Sequence, residues 1–458
     1  MAEKIILTPR DFPAVETLLQ SEELTEDLSK IPRPVGADII KTVVAEQKRR
    51  LGEGGKTFTL SSLLEAIKAA LREEAASKIS RVINATGIIV HTNLGRAPLS
   101  QAIFREIEKT SAGYGNIEFD LGSGKRGGRG AACERYLATL SEAEAGTVVN
   151  NNAAALFLIL NTLAARRNVI ISRGELVQIG GGFRIPDILK RSGARLCEVG
   201  TTNITTVADY ENALDEKTAL ILKVHKSNFV QAGFTQEVEL KPLVGLGEKH
   251  GVPVINDLGS GVFVSTRELL GYHEPTVQES VRSGAALTCF SGDKMLGGVQ
   301  AGLIVGRQDL VARIRKNPLF RTVRVDKIVF SVLEKILESY LNGTHQDTVK
   351  LWQILGRPLD ELRSMAGEVV SSSGRTSEIT IEKTDAFVGG GAMPEQSLPS
   401  VGLVFPAARG ADHLMAKFRN GSPPIIGRID NDRFILDLKA VDRDDLPYLA
   451  RAIAQALD

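Results

Sequence analysis

The feature that most constrains the fold of this chain is the regular alternation of short apolar runs with helical patterns through its middle section. Segments with apolar residues at three- and four-residue spacing, such as 238–250, separate the runs. Strands that alternate with helices pair mostly in parallel, because each helix returns the chain to the same end of the sheet. The sequence therefore predicts an α/β fold with a doubly wound, mostly parallel sheet. The apolar runs stand at 147–149, 169–172, 195–199, 219–225, 254–257 and 285–290.

The length of the chain, 458 residues, predicts two or three domains, since single cores stop growing well below that size. Residues 1–78 have short amphipathic helical patterns and are expected to form an N-terminal helical domain. Residues 79–327 contain the alternating section and are expected to form the large domain. Residues 328–458 are expected to form a bridging helix and a small α+β domain, in which Ser397–Ser400 is predicted as a loop.

Charge, cysteines and hydropathy narrow the class of protein. The sequence has no run of eighteen apolar residues and no signal-peptide pattern at its start, so a cytoplasmic location is expected, without membrane insertion. Cys133, Cys197 and Cys289 are too widely spaced for a zinc site or a disulfide framework. The net charge of +1 gives no bulk attraction for nucleic acid. The basic run Lys48–Arg50 is compatible with polyanion contact and with a solvated helix end.

Lys294 follows the apolar run 285–290 on a tight turn that begins at Ser291 and is followed by two glycines. A lysine beside buried strand ends can lose its proton by desolvation and become a nucleophilic amine. Such an amine forms a Schiff base with a carbonyl cofactor. Alone, a lysine on a turn is more often solvated.

Asp257 ends the apolar run 254–257, 37 positions before Lys294. An acid in this position is what the pyridinium nitrogen of pyridoxal 5'-phosphate requires while a lysine holds the aldehyde. Alone, an acid at a strand end is more often a helix cap. Together, Asp257 and Lys294 favour a pyridoxal-phosphate site.

Three asparagines, 150–152, separate the short strand 147–149 from a helix of small and apolar residues. Backbone amides at Asn151, Asn152 and Ala153, at the positive end of the helix dipole, would receive a dianionic phosphate. Helix capping alone would also explain the asparagines. The phosphate interpretation is favoured because Asp257 and Lys294 follow at later strand ends, where ligands collect in α/β sheets.

Two further groups of residues have open interpretations. His225, at the end of the run 219–225, could hydrogen-bond the oxygen of the cofactor ring or pack over its face, or be a structural histidine. The segment Gly122–Gly130 holds five glycines and three cations, which suits an anion-binding loop as well as a mobile surface loop.

Arg321 and Arg324 belong to a segment, 313–327, with six cations in fifteen residues. Their spacing of three would place both guanidinium groups on one face of a helical turn. Two adjacent guanidinium groups repel each other unless an anion joins them. The pair therefore predicts an oxyanion or phosphate site.

These motifs resemble those of the bacterial selenocysteine synthases, the L-seryl-tRNA(Sec) selenium transferases, which are fold-type-I pyridoxal-phosphate enzymes. The resemblance implies that Lys294 is the cofactor lysine and that Arg96, Arg321 and Arg324 handle selenophosphate. It also implies that the N-terminal helical domain contacts tRNA and that the protein forms a homo-oligomeric ring of dimers, with a decamer expected. The motifs are Asn84–Arg96, Val149–Ala154, Ser172–Val177, Val199–Asn203, Asp257–Gly261 and Phe290–Lys294.

The implied reaction converts L-seryl-tRNA(Sec) to L-selenocysteinyl-tRNA(Sec), by β-elimination of the serine hydroxyl and addition of selenium from selenophosphate. One alternative is a small-molecule pyridoxal-phosphate lyase or dehydratase on the same scaffold. Another is a tRNA-binding scaffold without catalysis. The N-terminal helical domain favours the tRNA substrate, because a free amino acid would not need it.

Overall fold

A computed structural model describes residues 5–53, 58–179, 182–227, 229–390 and 396–458. The chain divides into two compact units, Met1–Val82 and Ile83–Asp458. Within the described residues, no helix combines the length and the apolar character needed to cross a membrane.

The N-terminal unit is a small helical unit with its own core. Its core includes Ile40 on the third helix and Ile67 and Leu71 on the fourth, all fully buried. A reciprocal pair of hydrogen bonds between Thr59 and Ser62 caps the fourth helix. In chain order the elements are β1 (Ile5–Ile6), α1 (Val15–Leu19), α2 (Thr25–Ser29), α3 (Arg33–Gly52), β2 (Phe58–Thr59) and α4 (Leu60–Ser77).

The basic run at the end of α3 is largely paired with acids of the same region. Arg49 contacts both Glu46 and Glu53 at 2.8 Å, and Arg50 contacts Glu46 at 2.9 Å. Exposed pairs of this kind contribute little to stability, but they lower the local excess of positive charge. The run is therefore a weaker polyanion site than its sequence suggests.

The second unit contains all the remaining elements. Its strands are β3 (Ile83–Asn84), β4 (Phe119–Asp120), β5 (Lys125–Arg126), β6 (Ala145–Val149), β7 (Asn168–Ser172), β8 (Gln178–Ile179), β9 (Phe183–Arg184), β10 (Arg195–Val199), β11 (Thr218–Val224), β12 (Val254–Gly259), β13 (Leu287–Ser291), β14 (Gly302–Gly306), β15 (Thr380–Phe387), β16 (Ser397–Val404), β17 (Ile425–Ile426), β18 (Arg428–Asp430) and β19 (Arg433–Asp437). Its helices are α5 (Gln101–Ala112), α6 (Ala131–Ser141), α7 (Asn152–Ala164), α8 (Ile185–Arg191), α9 (Val207–Ala213), α10 (Leu240–His250), α11 (Arg267–Leu270), α12 (Val277–Arg282), α13 (Gln308–Lys316), α14 (Lys327–Leu341), α15 (His345–Thr348), α16 (Lys350–Leu355), α17 (Leu359–Ser373), α18 (Ala411–Arg419) and α19 (Leu446–Leu457).

The large sheet has the strand order β10-β7-β11-β12-β13-β14-β6. Pairing is parallel from β10 to β13, whereas β14 is antiparallel to both β13 and β6. The predicted α/β fold with a doubly wound, mostly parallel sheet is confirmed. The carboxyl ends of β11, β12 and β13 lie side by side, which places the residues after them at one edge of the sheet.

Helices cover both faces of the large sheet, because successive side chains on each strand point to opposite faces. Leu303 packs in the core that includes Leu333 of α14, whereas its neighbour Ile304 packs in the core that includes Leu156 of α7. All four side chains are buried. This two-sided burial explains why the strands are nearly continuous apolar runs.

A second sheet, with the order β15-β16-β19-β18, is antiparallel throughout and shares a core with α17, α18 and α19. The predicted loop at Ser397–Ser400 is wrong, because these residues begin β16. Pro399 fits there since β16 pairs with β19 only over Gly402–Val404, so its missing amide interrupts no hydrogen bond on that side. The predicted domain boundaries at 78/79 and 327/328 stay predictions.

Candidate active site

A cavity of about 310 Å³ opens at the carboxyl ends of β11, β12 and β13. It brings together Arg96 and all the residues predicted to bind the cofactor. Its lining comprises Arg96, Asn151, Asn152, Ala153, Val224, His225, Ser227, Asp257, Gly259, Ser291, Asp293, Lys294, Gln300 and Ala301.

Lys294 lies on the turn that follows β13 and is only 6% exposed. The turn is fixed by backbone hydrogen bonds from Gly297 to the carbonyl of Lys294 and from Met295 to the carbonyl of Ser260. Burial lowers the pKa of the Lys294 amine from its ordinary value, and the nearby Asp257 carboxylate opposes part of that shift. The site therefore favours the neutral, nucleophilic amine more than water does.

Asp257 lies on β12 and is also buried. Burial raises the pKa of its carboxyl group, while hydrogen bonds from Asn152 and Cys289 and the charge of Lys294 act in the opposite direction. The Asn152 Nδ2 atom donates to Asp257 Oδ1 over 2.8 Å. Cys289 stands beside Asp257 in register on β13, so its thiol reaches the carboxylate from the neighbouring strand. A buried carboxylate held in this way is suited to a cationic ring N–H.

The asparagine turn connects β6 to α7 and opens the start of that helix to the cavity. The Asn151 side chain accepts a hydrogen bond from the amide of Ala154, and its carbonyl accepts one from Ala155. The amides of Asn152 and Ala153 are left at the cavity, at the positive end of the helix. Gly302 permits this packing, because a Cβ there would lie 2.1 Å from the Asn151 carbonyl oxygen.

His225 directly follows β11, and its backbone amide donates to the carbonyl of Asp257 over 2.9 Å. Its side chain lines the cavity, and its Nε2 atom lies 3.2 Å from Oε1 of Glu274. Glu274 was not predicted from the sequence, because it lies in a loop between α11 and α12 and no pattern marks it.

Arg96 reaches the cavity from a tight turn. Gly95 and Arg96 both have positive φ, at 90° and 65°, and the second value is uncommon for a residue with a side chain. The Arg96 Nη1 atom donates to Asp293 Oδ2 over 2.6 Å. Asp293 was also not predicted as a site residue, although its position next to Lys294 is a usable signal in the sequence.

Arg321 and Arg324 do not line the cavity, but their segment adjoins the asparagine turn. Arg321 belongs to a 3₁₀ helix, Pro318–Val323, and Arg324 follows it. The Val323 carbonyl accepts a hydrogen bond from the amide of Asn150 over 2.9 Å. Arg321 is exposed and Arg324 is half-buried. Their role in anion binding stays a prediction.

The segment Gly122–Gly130 includes the turn and second strand of a short hairpin, β4–β5, and two of its three cations contact one acid. Glu118 lies 2.7 Å from Arg126, 2.6 Å from Arg129 and 3.7 Å from Arg324. Arg129 also donates to the carbonyl of Val325 over 2.8 Å. The hydrogen bond from Arg129, opposed by some desolvation, lowers the pKa of Glu118. The hairpin is therefore tied to the segment that carries Arg324.

The residues present fit pyridoxal 5'-phosphate. The cavity offers an amine for the aldehyde, an acid for the ring nitrogen and helix amides for the phosphate. Asn152 Oδ1 is buried without a hydrogen-bond partner, which indicates a polar occupant. Gly259, with φ of 71°, leaves open a space where a Cβ would lie 3.9 Å from the Lys294 amine. Within the described residues, no group of side chains could hold a metal ion.

The chain is similar to known proteins over most of its length. A family model described as L-seryl-tRNA selenium transferase matches residues 82–442. The L-seryl-tRNA(Sec) selenium transferase of Aquifex aeolicus (strain VF5) is 43% identical over 90% of this chain and 92% of its own. That of Moorella thermoacetica is 42% identical over 98% of this chain and 97% of its own. Among solved structures, D-glucosaminate-6-phosphate ammonia-lyase has a TM-score of 0.60 at 18% identity, covering 82% of this chain and 96% of its own, which shows a shared fold.

Proposed function

The chain belongs to the L-seryl-tRNA selenium transferase family and has the type I fold of pyridoxal-phosphate enzymes; from that premise we propose that it converts L-seryl-tRNA(Sec) to L-selenocysteinyl-tRNA(Sec), with selenophosphate as the selenium donor. One observation carries the proposal. Lys294, Asp257 and the first amides of α7 line a single cavity, although they lie on three separate segments of the chain.

Each part of that cavity has a role toward pyridoxal 5'-phosphate. Lys294 would hold the aldehyde carbon, Asp257 the ring nitrogen, and the amides of Asn152 and Ala153 the phosphate. When bound, the cofactor supplies an electron sink for negative charge at the α-carbon of the seryl group. Ser291 and His225 line the same cavity and would contact the cofactor.

Lys294 is the proposed base for the serine α-proton. Because burial lowers the pKa of its amine, Nζ can be neutral and accept a proton at a pH where an exposed lysine cannot. The serine hydroxyl then takes up a proton and leaves as water, which makes the β-carbon electrophilic. The selenium of selenophosphate adds to that carbon, and hydrolysis of the P–Se bond releases phosphate. The enclosed position of Lys294, with its 6% exposure, limits competition from water.

Selenophosphate is an anion, and we assign its recognition to Arg96, Arg321 and Arg324. Arg96 already lines the cavity. The other two lie on the segment whose Val323 carbonyl binds the asparagine turn. Arginine suits this task because its planar guanidinium group gives paired hydrogen bonds to phosphate-like oxygens.

The N-terminal unit is the proposed tRNA-contacting part, since it has its own core and is not needed for the cavity. We also propose a homo-oligomeric ring of dimers, with a decamer expected, and subunit contacts would cover large apolar side chains on the surface of the second unit. Tyr114, Leu121 and Phe234 are each at least 75% exposed.

Turnover of seryl-tRNA(Sec) with labelled selenophosphate tests the proposal. The purified protein should form selenocysteinyl-tRNA, and Lys294→Ala should form none. Release of product from free serine, with none from seryl-tRNA, would favour the small-molecule lyase or dehydratase instead. In a gel shift, tRNA(Sec) should bind more tightly than tRNA(Ser), and removal of residues 1–82 should abolish that preference.

A further inference from the structure

Glu274 is a buried acid next to the cavity, with 5% exposure. Its backbone is fixed, because its amide donates to Thr266 Oγ1 over 2.9 Å and that hydroxyl donates to the carbonyl of Tyr272. The acid therefore stands at a defined place rather than on a mobile loop. It does not line the cavity itself.

The His225 ring lies close to this acid. Glu274 Oε1 and His225 Nε2 are 3.2 Å apart, but the two groups are not aligned as a hydrogen bond, and Oε1 is buried without a hydrogen-bond partner. A buried carboxylate oxygen that accepts no hydrogen bond costs free energy. A small rotation of the half-buried imidazole would align the pair and remove that cost.

A purely structural role accounts poorly for an acid at this position. A leucine or methionine would fill the same space without the cost of burying a carboxylate. The placement is explained if Glu274 acts on His225, since His225 also lines the cavity that holds Lys294. Carboxylate partners of this kind determine which ring nitrogen of a histidine carries the proton and how the ring is turned.

We propose that Glu274 is a positioning residue, which accepts the Nε2–H of His225 and fixes the orientation and tautomer of that imidazole beside the cofactor. The inference rests on the proposed function, because it assumes that pyridoxal phosphate occupies the cavity. It adds a residue that no motif in the sequence indicates.

The test is a double-mutant cycle read on cofactor binding rather than on turnover. Glu274→Leu removes the acceptor at similar volume, Glu274→Gln keeps an acceptor oxygen, and His225→Phe removes the donor. Two quantities are measured for each variant and for Glu274→Leu/His225→Phe: the Kd for pyridoxal phosphate, and the absorbance and circular dichroism of the bound cofactor. Glu211→Leu is the matched control, since Glu211 lies 3.5 Å from His250 in an exposed pair.

Glu274→Leu should weaken cofactor binding roughly tenfold and change the dichroism of the bound cofactor, because an unheld imidazole changes its contacts. Glu274→Gln should restore binding to within about twofold of the wild type. In the His225→Phe background, Glu274→Leu should add almost nothing, because the residue it acts through is absent. The Glu211→Leu protein should behave as the wild type.

Equal losses from Glu274→Leu with and without His225 would overturn the inference, as would wild-type binding and dichroism in Glu274→Leu. Far-UV circular dichroism verifies folding, and Glu274→Ala, which admits water, replaces the leucine variant if that variant does not fold. A wild-type protein that binds no pyridoxal phosphate would overturn the proposed function itself, and the inference with it. The two failures are therefore distinguishable.

Discussion

Arg96 Nη1 donates to Asp293 Oδ2 over 2.6 Å, which joins the residue directly before Lys294 to a turn 197 positions earlier in the chain. The guanidinium group is thus oriented before any anion arrives. It is also charge-balanced, so an incoming dianion must compete with Asp293 for its N–H groups. Arg324 has a longer contact to an acid, 3.7 Å to Glu118.

We expect Arg96→Ala to raise the KM for selenophosphate roughly tenfold or more, because it removes a charge-assisted contact inside the cavity. Arg324→Ala should raise it less, since Arg324 lies outside the cavity lining. Both variants should keep the absorbance of the bound cofactor. Initial rates at varied selenophosphate measure the effect, with Arg313→Ala, an exposed arginine of α13, as the control. An unchanged KM in Arg96→Ala would remove this residue from the donor site.

Among the lysines that the structure describes, burial lowers the pKa of two, Lys294 and Lys439, and only Lys294 lines the cavity. Lys294 is 6% exposed at the cavity, whereas Lys439 is 3% exposed and donates to the carbonyl of Arg357. Desolvation, together with the charge of Arg357, lowers the pKa of Lys439 to about 8. A lowered pKa alone therefore does not identify the lysine that binds the cofactor.

Borohydride reduction with pyridoxal phosphate should label Lys294 and leave Lys439 unlabelled, because only the first amine meets the cavity. Peptide mapping by mass spectrometry gives the labelled site. Lys294→Ala should lose the label and all turnover, whereas Lys439→Met should keep both. Label recovered mainly on Lys439, or turnover by Lys294→Ala, would show that the wrong lysine has been assigned.

The site residues that were predicted from the sequence alone are each marked by a pattern in their own stretch of the chain. Lys294 and the asparagines 150–152 each follow an apolar run on a turn, and Asp257 is the acid that ends such a run on β12. Parallel strands bring these positions to one edge of the sheet. Glu274 has no such signal, since it reaches His225 only through tertiary packing. Its loop, between α11 and α12, contains neither a strand end nor a helical pattern.

The strand Gly302–Gly306 has only a short local signal, three apolar residues between two glycines. Its first residues look like part of a segment of small residues, because glycines stand at both ends of a run of only five. Ile304 and Val305 favour a strand, but the run is short, and pairing with β13 and β6 on both sides completes it. The glycine at its start is required by the neighbouring asparagine turn, which no local pattern could reveal.

Gly302→Ala should weaken binding of pyridoxal phosphate, because its Cβ would displace the Asn151 carbonyl that shapes the start of α7. The Kd for the cofactor should rise roughly tenfold or more, because overpacking typically costs about one to three kcal/mol. Absorbance titration with the cofactor measures it. Gly245→Ala is the matched control, since that glycine is exposed on α10 and a Cβ added there would meet nothing within 4 Å, so the change should stabilise the helix slightly. Equal affinity in both variants would show that the asparagine turn does not hold the phosphate.

The buried amine of Lys439 also predicts how stability depends on pH. Its pKa is about 8 in the folded chain and 10.5 in the unfolded chain, so between these values the unfolded chain binds the extra proton. The free energy of unfolding therefore rises with pH across that window. Below pH 8 the buried Lys439 amine destabilises the folded chain to its full extent. Lys439→Met removes the cost, so it should raise Tm relative to the wild type more at pH 7 than at pH 10. Thermal unfolding of both proteins without cofactor, at pH 7 and at pH 10, checks this. The contributions of the other titrating groups are the same in both proteins and cancel in the comparison. A difference in Tm that stays constant, or grows with pH, would mean that the Lys439 amine keeps its proton when folded.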